Sequence, residues 1–305
     1  MVSVIMSIYN EPENWLREAI DSILNQSFKD FEFIIINDNP NRMINDEILE
    51  FYKGKDSRIL SIKNENNIGL TKSLNKALKM AKGKYVARMD ADDISLRHRF
   101  KEQVEFLEKN KHLLACGTDI ILINENNKEL NKKLKTHFTF DAIKNVFPLF
   151  NPIYHPTLFI RNKFITENGI RYNENFKYAQ DYELVKEIIL KGEIVNLESK
   201  LLKYRISSSQ ISNSKIKEQN EYARSTKLSF LKNTYNLNEN DFYKIYFILK
   251  RLREKNSRND VALDNSIISL LLSFPFTRKT ILNELIRTRI SLKLRVKLFL
   301  KILNI

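Results

Sequence analysis

Apolar runs and helical stripes alternate along the N-terminal part of the chain. Residues 2–8 form a nearly unbroken apolar run, the pattern of a strand buried on both faces. Glu11-Pro12-Glu13 then opens a helix to about Asn25, with Trp15, Leu16, Ala19, Ile20, Ile23 and Leu24 on one face. Residues 31–36 repeat the buried-strand pattern and end at Asn37-Asp38-Asn39-Pro40. A helix near 45–53, a short strand at 59–63 and a helix over 71–81 follow, the last entered through Asn67-Ile68-Gly69-Leu70. Gly83 stops that helix before a strand at 85–89. The pattern next predicts a helix from Ser95, as its N-cap, to about Lys109, and apolar stretches at 113–117 and 120–123. The span 140–160 is irregular, with Pro148, Pro152 and Pro156, and reads as loops and short strands covering a site. A helix carrying Gln180-Asp181-Tyr182 at its start and a strand over 194–204 complete this region.

Strand–helix repetition with polar clusters at strand ends specifies an α/β fold with a doubly wound, mostly parallel sheet. In such sheets ligands bind at the carboxyl ends of the strands. Asn10, Asp38 and the pair Asp90 and Asp92 all lie at that edge. From about Lys215 the pattern is helical without strand alternation. The expected domains are therefore 1–214, α/β, and 215–305, a helical extension. No internal repeat is visible.

Charge sharpens this division. The chain has 305 residues and a formal net charge of +14. Residues 215–305 hold 19 Lys+Arg against 8 Asp+Glu, so most of the basicity belongs to the extension. The single Cys116 excludes an internal disulfide framework and, with only four His, fits a reducing compartment. No secretory signal precedes the first strand, and no apolar run approaches the ~20 residues that span a bilayer. A cytoplasmic location is expected.

The densest chemistry is Tyr85-Val86-Ala87-Arg88-Met89-Asp90-Ala91-Asp92-Asp93, a β-prone run ending in three carboxylates. Such crowding is costly unless a cation or a ring of donors sits among them. A hard divalent ion, Mg²⁺ or Mn²⁺, that also grips a phosphate fits. Asp92 is the main candidate ligand, Asp90 assists or binds ribose, and Asp93 is open between support and structure. Asp38 reads either as an Asx turn before Asn39-Pro40 or as an acceptor for a base N–H such as uracil offers. Tyr9 is placed to stack on a base, and Glu11 to bind ribose or to start a helix. Lys72, Asn75 and Arg88 are candidates for diphosphate contact, although a solvated helix face accounts for Lys72 equally well. Asp181 reads as a helix N-terminal acid or as a general base for an attacking hydroxyl.

These motifs carry a family resemblance. A strand ending in Ser7-Ile8-Tyr9-Asn10, then IIINDNPNR, NIGLTKSLN, ARMDADD, HPTLFIR and QDYEL, over roughly 1–212, is similar to the bacterial family 2 glycosyltransferases that build surface polysaccharides or lipooligosaccharide. The resemblance implies a GT-A fold and inverting transfer from a nucleotide sugar, most often a UDP-sugar. On it, Asp38 matches the base-binding acid, Asp92 the metal-binding member of the DXD motif and Asp181 the catalytic base. Ser7, Tyr9, Asn10, Glu11, Gly69, Lys72, Asn75, Arg88 and Asp90 fall on the donor side, and His155 and Gln180 near the acceptor. His155 reads equally as a loop-packing residue. Relatives often follow Tyr-Arg with one residue and a His; here Tyr204-Arg205-Ile206 leads into a Ser-rich stretch. Arg205 is still expected to clamp phosphate, but the histidine is missing and with it a third protein ligand for the metal.

In the extension, Arg287, Arg289, Lys293, Arg295, Lys297 and Lys301 alternate with apolar residues. Leu292, Val296, Phe299 and Leu303 share a helical face. This predicts a peripheral helix on an anionic membrane surface, or one packed on the catalytic domain. No nucleic-acid module is recognisable. The expected partners are a UDP-sugar donor and a glycan or lipid-linked glycan acceptor. A sugar-nucleotidyltransferase, or a non-catalytic nucleotide-sugar-binding membrane adaptor, are the alternative readings.

Overall fold

The computed structural model describes residues 1–132, 134–207 and 215–235. Contacts divide the chain into two units, Met1–Ile143 with Asn151–Thr226, and Lys144–Phe150 with Lys227–Ile305. The first unit holds strands β1 (Val2–Ile8), β2 (Phe31–Asn37), β3 (Ile59–Lys63), β4 (Tyr85–Arg88), β5 (Ile94–Ser95), β6 (Leu113–Ile123), β7 (Phe159–Arg161) and β8 (Glu193–Arg205). Helices α1 (Glu13–Leu24), α2 (Met43–Lys55), α3 (Leu70–Met80), α4 (Arg99–Lys109), α6 (Asn162–Glu167) and α7 (Gln180–Lys191) accompany them. Helices α5 (Phe140–Val146) and α8 (Ile216–Tyr235) each continue into the second unit.

The strands form one sheet in the order β3-β2-β1-β4-β7-β6-β8-β5. β7 and β5 run against the others, so six strands point the same way. This is the α/β, mostly parallel arrangement expected. β1 pairs with β2 on one side and β4 on the other, and all seven of its residues are buried. That explains its continuous apolar run: both faces are covered. Val2, Val4, Met6 and Ile8 join Leu16, Ala19, Ile20 and Ile23 of α1 in the main core. Ile5 looks to the opposite face, where Leu78 of α3 meets it. Each large side chain buried this way contributes about 1.5–3 kcal/mol. The chain leaves β1 towards β2 and β3 and returns on the other side as β4. The crevice at the carboxyl ends of β1 and β4 is thus the topological switch point.

Two expectations change. Ser95 caps no helix: it lies in β5 opposite Leu202 of β8, and α4 starts at Arg99. The reason is a better set of partners, since Ser95 N–H donates to Ser22 Oγ at 3.0 Å and its hydroxyl accepts from Gln26 Nε2 at 3.2 Å. The two apolar stretches after α4 are one strand, β6, whose register against β8 shifts between Thr118 and Ile120. Such irregularities bend a strand and break its alternation.

In the second unit, the Phe147 and Phe230 rings pack 4.6 Å apart and Lys227 Nζ donates to Leu149 O at 2.8 Å. Residues 215–226 pack with the first unit, through Thr226 Oγ1 to Glu183 Oε2 at 2.8 Å. The boundary expected near Ser214, the Ser-rich stretch 208–212 and the amphipathic basic segment 287–303 lie outside the described residues. Among the described residues no helix is long and apolar enough to cross a membrane.

Candidate active site

Three strand ends build the edge. After β1, Tyr9 is 46% exposed, and its N–H donates to Glu11 Oε2 at 2.8 Å. Asn10 is exposed, and Ser7 is buried inside β1 opposite Ile36. Burial raises the Glu11 carboxyl above the ordinary range, and the charge of Asp90 adds to the rise. The β1 and β2 ends are tied together by Asn45, whose amide donates to Tyr9 O at 3.0 Å and Asn37 Oδ1 at 3.1 Å. Asn37, not Asp38, makes the Asx turn, accepting from Asn39 N–H at 3.1 Å.

Asp38 is 3% exposed and organises the loop before α3. Its Oδ1 accepts from Asn64 Nδ2 and Ile68 N–H, and its Oδ2 from Gly69 N–H, each at 2.9 Å. A carboxylate offers about four lone-pair sites, so Oδ2 retains one. Gly69 has φ +86° and ψ 156°, a conformation that requires glycine, and it hands the chain into α3. Lys72 is exposed on the first turn of α3.

Asn75 has a different role from the one expected. Its amide donates to Tyr172 O at 2.9 Å and Glu174 Oε1 at 3.0 Å, and its Oδ1 accepts from Tyr172 N–H at 2.9 Å. Buried and engaged at both ends, it fastens segment 172–174 rather than a diphosphate.

The acidic cluster at the end of β4 is asymmetric. Asp93 is buried with Oδ1 accepting from Arg205 N–H at 2.8 Å, and its Oδ2 has no hydrogen-bond partner. Burial and the neighbouring Asp92 raise its carboxyl well above the ordinary range. It supports the turn. Asp92 is half-buried; burial, then Asp90 and Glu11, raise its carboxyl to about 7. Asp90 pairs with Arg88 through Oδ1. Arg88 is 2% exposed and pairs with Asp90 through Nη2 alone, its Nε and Nη1 buried without hydrogen-bond partners, so burial and not full pairing sets it back from the diphosphate contact expected of it.

Arg205 does not face a phosphate site. Its side chain is fully buried and all three guanidinium nitrogens donate inward. Nε donates to Asp92 O at 2.7 Å, Nη1 to Asn127 Oδ1 at 2.7 Å and to Asn124 and Glu125 O at 3.2 Å, and Nη2 to Glu18 Oε2 at 2.8 Å. The guanidinium also lies 4.8 Å over the Trp15 ring. The phosphate clamp expected of Arg205 is thus corrected to a brace for the acidic turn.

Asp181 is the second residue of α7, which follows Ala179, a residue with a left-handed backbone at φ 56°. Its Oδ2 accepts from Asn151 Nδ2 at 2.8 Å. Burial raises its carboxyl above the ordinary range and the charge of Asp90 adds to this, so the two acids sense one another. Gln180 is buried beside it. His155 and Tyr172 share a hydrogen bond of 2.7 Å between Nε2 and the phenol oxygen. Burial, with Arg88 nearby, holds the imidazole well below its usual range, so His155 is neutral near pH 7.

Sequence reasoning missed Asn45, Asn151 and Tyr172. Asn151-Pro152 stands in a stretch read only as irregular loop, and nothing in its spacing marks it as the partner of Asp181.

Among the described residues no group of three or more His, Cys, Asp or Glu side chains is arranged to hold a metal. Asp92 and the second oxygen of Asp90 are hard donors in a site where burial first, and then the crowding of the Asp90 and Glu11 charges, move a carboxyl to about 7. A cation would relieve that crowding. Two carboxylates suit Mg²⁺ or Mn²⁺, which complete their coordination with phosphate and water.

Known proteins share this architecture. The profile of Glycosyl transferase family 2 matches residues 3–169. An uncharacterized glycosyltransferase of Methanocaldococcus jannaschii is 38% identical over 249 residues, 81% of this chain and 85% of that one. The O-antigen biosynthesis glycosyltransferase WbnJ of Escherichia coli is 36% identical over 211 residues, 68% of this chain and 80% of that one. The crystal structure of S. aureus TarS 1-349 in complex with UDP matches with a TM-score of 0.61 at 20% identity, covering 98% of this chain and 86% of that chain, so the fold is shared.

Proposed function

The chain belongs to glycosyl transferase family 2, and from that membership we propose that it moves a sugar from a UDP-sugar to a hydroxyl of a lipid-linked surface glycan, with inversion and with Asp181 as general base. The observation that supports this most is the convergence of Asp181, Asp90 and Asp92 at one sheet edge, where the Asp90 charge reaches the other two carboxyls.

Tyr9 offers its exposed ring to the uracil, and the remaining Oδ2 lone pair of Asp38 accepts the uracil N–H. Glu11 and Asn10 face the ribose. Lys72, together with the free N–H groups in the first turn of α3, attracts the diphosphate. Asp92 and Asp90 would hold Mg²⁺ or Mn²⁺, and such an ion would supply positive charge to offset that of the departing UDP. Asn151 steadies Asp181 and favours its ionised form, which removes the acceptor hydroxyl proton as the oxygen attacks the anomeric carbon. Attack opposite the leaving group turns an α-linked donor into a β-linked product. His155, neutral and bonded to Tyr172, shapes the acceptor side without carrying charge.

The polysaccharide setting is supported by relatives such as WbnJ, and the basic extension suits an anionic membrane surface. The test is UDP release from UDP-sugars with Mn²⁺ or Mg²⁺, with product configuration read by NMR. Normal turnover by Asp181→Asn removes that residue as base. Liposome flotation of the full chain at low salt tests the membrane part.

A further inference from the structure

Immediately before Asp181 the chain presents an aromatic shelf with no part in donor binding. Phe176 and Tyr178 meet Tyr222 of α8, with ring centroids 5.3 and 6.4 Å from it. These half-buried rings line an open cavity of about 480 Å³, together with Lys177, Glu218, Glu221 and Ser225. Ligand sites for small molecules fall in this size range and combine aromatic walls with a few polar groups.

The shelf is held firmly from the donor side. Thr71 Oγ1 donates to Phe176 O at 3.0 Å, and Asn75 grips Tyr172 and Glu174. Both residues lie on α3, the helix that Gly69 and Asp38 launch. Phe176 N–H also donates to Asn173 O at 2.9 Å, closing a turn. Tyr178 is three residues from Asp181, so their Cα atoms are at most ~11 Å apart. A ligand on the shelf therefore extends within a few sugar lengths of the base.

The lining selects among ligands. Glu218 and Glu221 outnumber Lys177 among the lining residues, Lys177 Nζ lies 5.7 Å over the Tyr178 ring, and Lys215 approaches Glu218 at 3.8 Å, so the wall carries no excess positive charge to draw a diphosphate. A pyranose has one face of C–H groups that lies flat on an aromatic ring, and a rim of hydroxyls that donate to carboxylates and to a serine oxygen. We propose that the cavity between Phe176, Tyr178 and Tyr222 is an acceptor subsite, which takes a neutral pyranose residue of the glycan being extended. This rests on the transferase reading above and adds to it the class of acceptor and the residues that select it.

The test is saturation-transfer difference NMR on the full chain. The probes are methyl glucoside, galactoside and mannoside, with glucuronate as the anionic counterpart. Saturation should pass from protein ring protons to the C–H protons of at least one neutral hexoside and not to glucuronate. Tyr222→Ala and Tyr178→Ala, each with its melting transition checked, should bind that hexoside about tenfold more weakly. No transfer to any neutral hexoside, stronger transfer to glucuronate, or wild-type binding by either folded variant overturns the subsite. UDP release from the donor alone is followed in parallel. Hexoside binding without donor turnover removes the transferase reading and leaves a sugar site. Donor turnover without hexoside binding does the reverse.

Discussion

Replacing Arg205 by alanine separates two roles for the same residue. As a phosphate clamp its loss would raise the donor KM and leave stability nearly unchanged. The structure places it instead as a buried brace. Alanine leaves Glu18 without its cation and the Asp92 carbonyl without this donor, whereas Asn124 O keeps the Asn127 N–H and Glu125 O keeps the Trp15 Nε1–H. A hydrogen bond to a charged group contributes about 1.5–3 kcal/mol, and each neutral one about 0.5–1.5 kcal/mol. Glu18 is partly exposed and regains water, which discounts its share. Water entering the vacated volume offsets some of the rest. The expected cost is about 2–4 kcal/mol, somewhat below the range for a fully buried pair but a large fraction of a domain's stability. Urea unfolding with linear extrapolation measures it. Arg205→Lys keeps the charge opposite Glu18 but loses the planar fork, and should fall between the two. Destabilisation of under ~1 kcal/mol with a many-fold rise in donor KM would refute the brace and restore the clamp.

Asp181→Asn should lower kcat by roughly 10²–10⁴-fold, the usual worth of a general base. In the wild type, burial raises the Asp181 carboxyl, and only the ionised form accepts a proton. The acid limb of the kcat profile should therefore lie above the ordinary carboxylate range, with rate rising as pH passes through it. Asn151→Ala removes a bond that favours the ionised form, so it should move that limb to still higher pH while the plateau rate stays near wild type; an unmoved limb counts against the pairing. Gly69→Ala forces a side chain into φ +86°, and should cost about 1–2 kcal/mol in denaturant unfolding and raise the donor KM as the Asp38 loop shifts.

Much of the fold was legible because β1, β2 and the stripe on α1 are strong, local signals. A strand buried on both faces must be apolar throughout, and a helix covering it must show one apolar face. Their polar ends then marked the edge at which Asn10, Asp38, Asp90 and Asp92 lie, whereas Asp181 was read from a helix start and from the family resemblance. Long-range partnerships were not legible. Asn75 has the same polar side chain whether it meets a phosphate or the backbone of Tyr172, and only the fold brings residue 172 to it. Ser95 has the chemistry of an N-cap, but its pairing with Leu202 depends on a strand far along the chain. The two halves of β6 looked separate because bulges interrupt the alternation. Arg205 was misassigned for a related reason: a buried arginine and a ligand-facing one are spelled alike.

The bond from Arg205 N–H to Asp93 spans 112 positions. During synthesis, the acidic turn leaves the ribosome long before the strand that secures it. A nascent chain ending soon after residue 169 would carry every donor-side signature yet lack the segment that folds them into a working pocket. The acidic turn gains this brace only once β8 is in place.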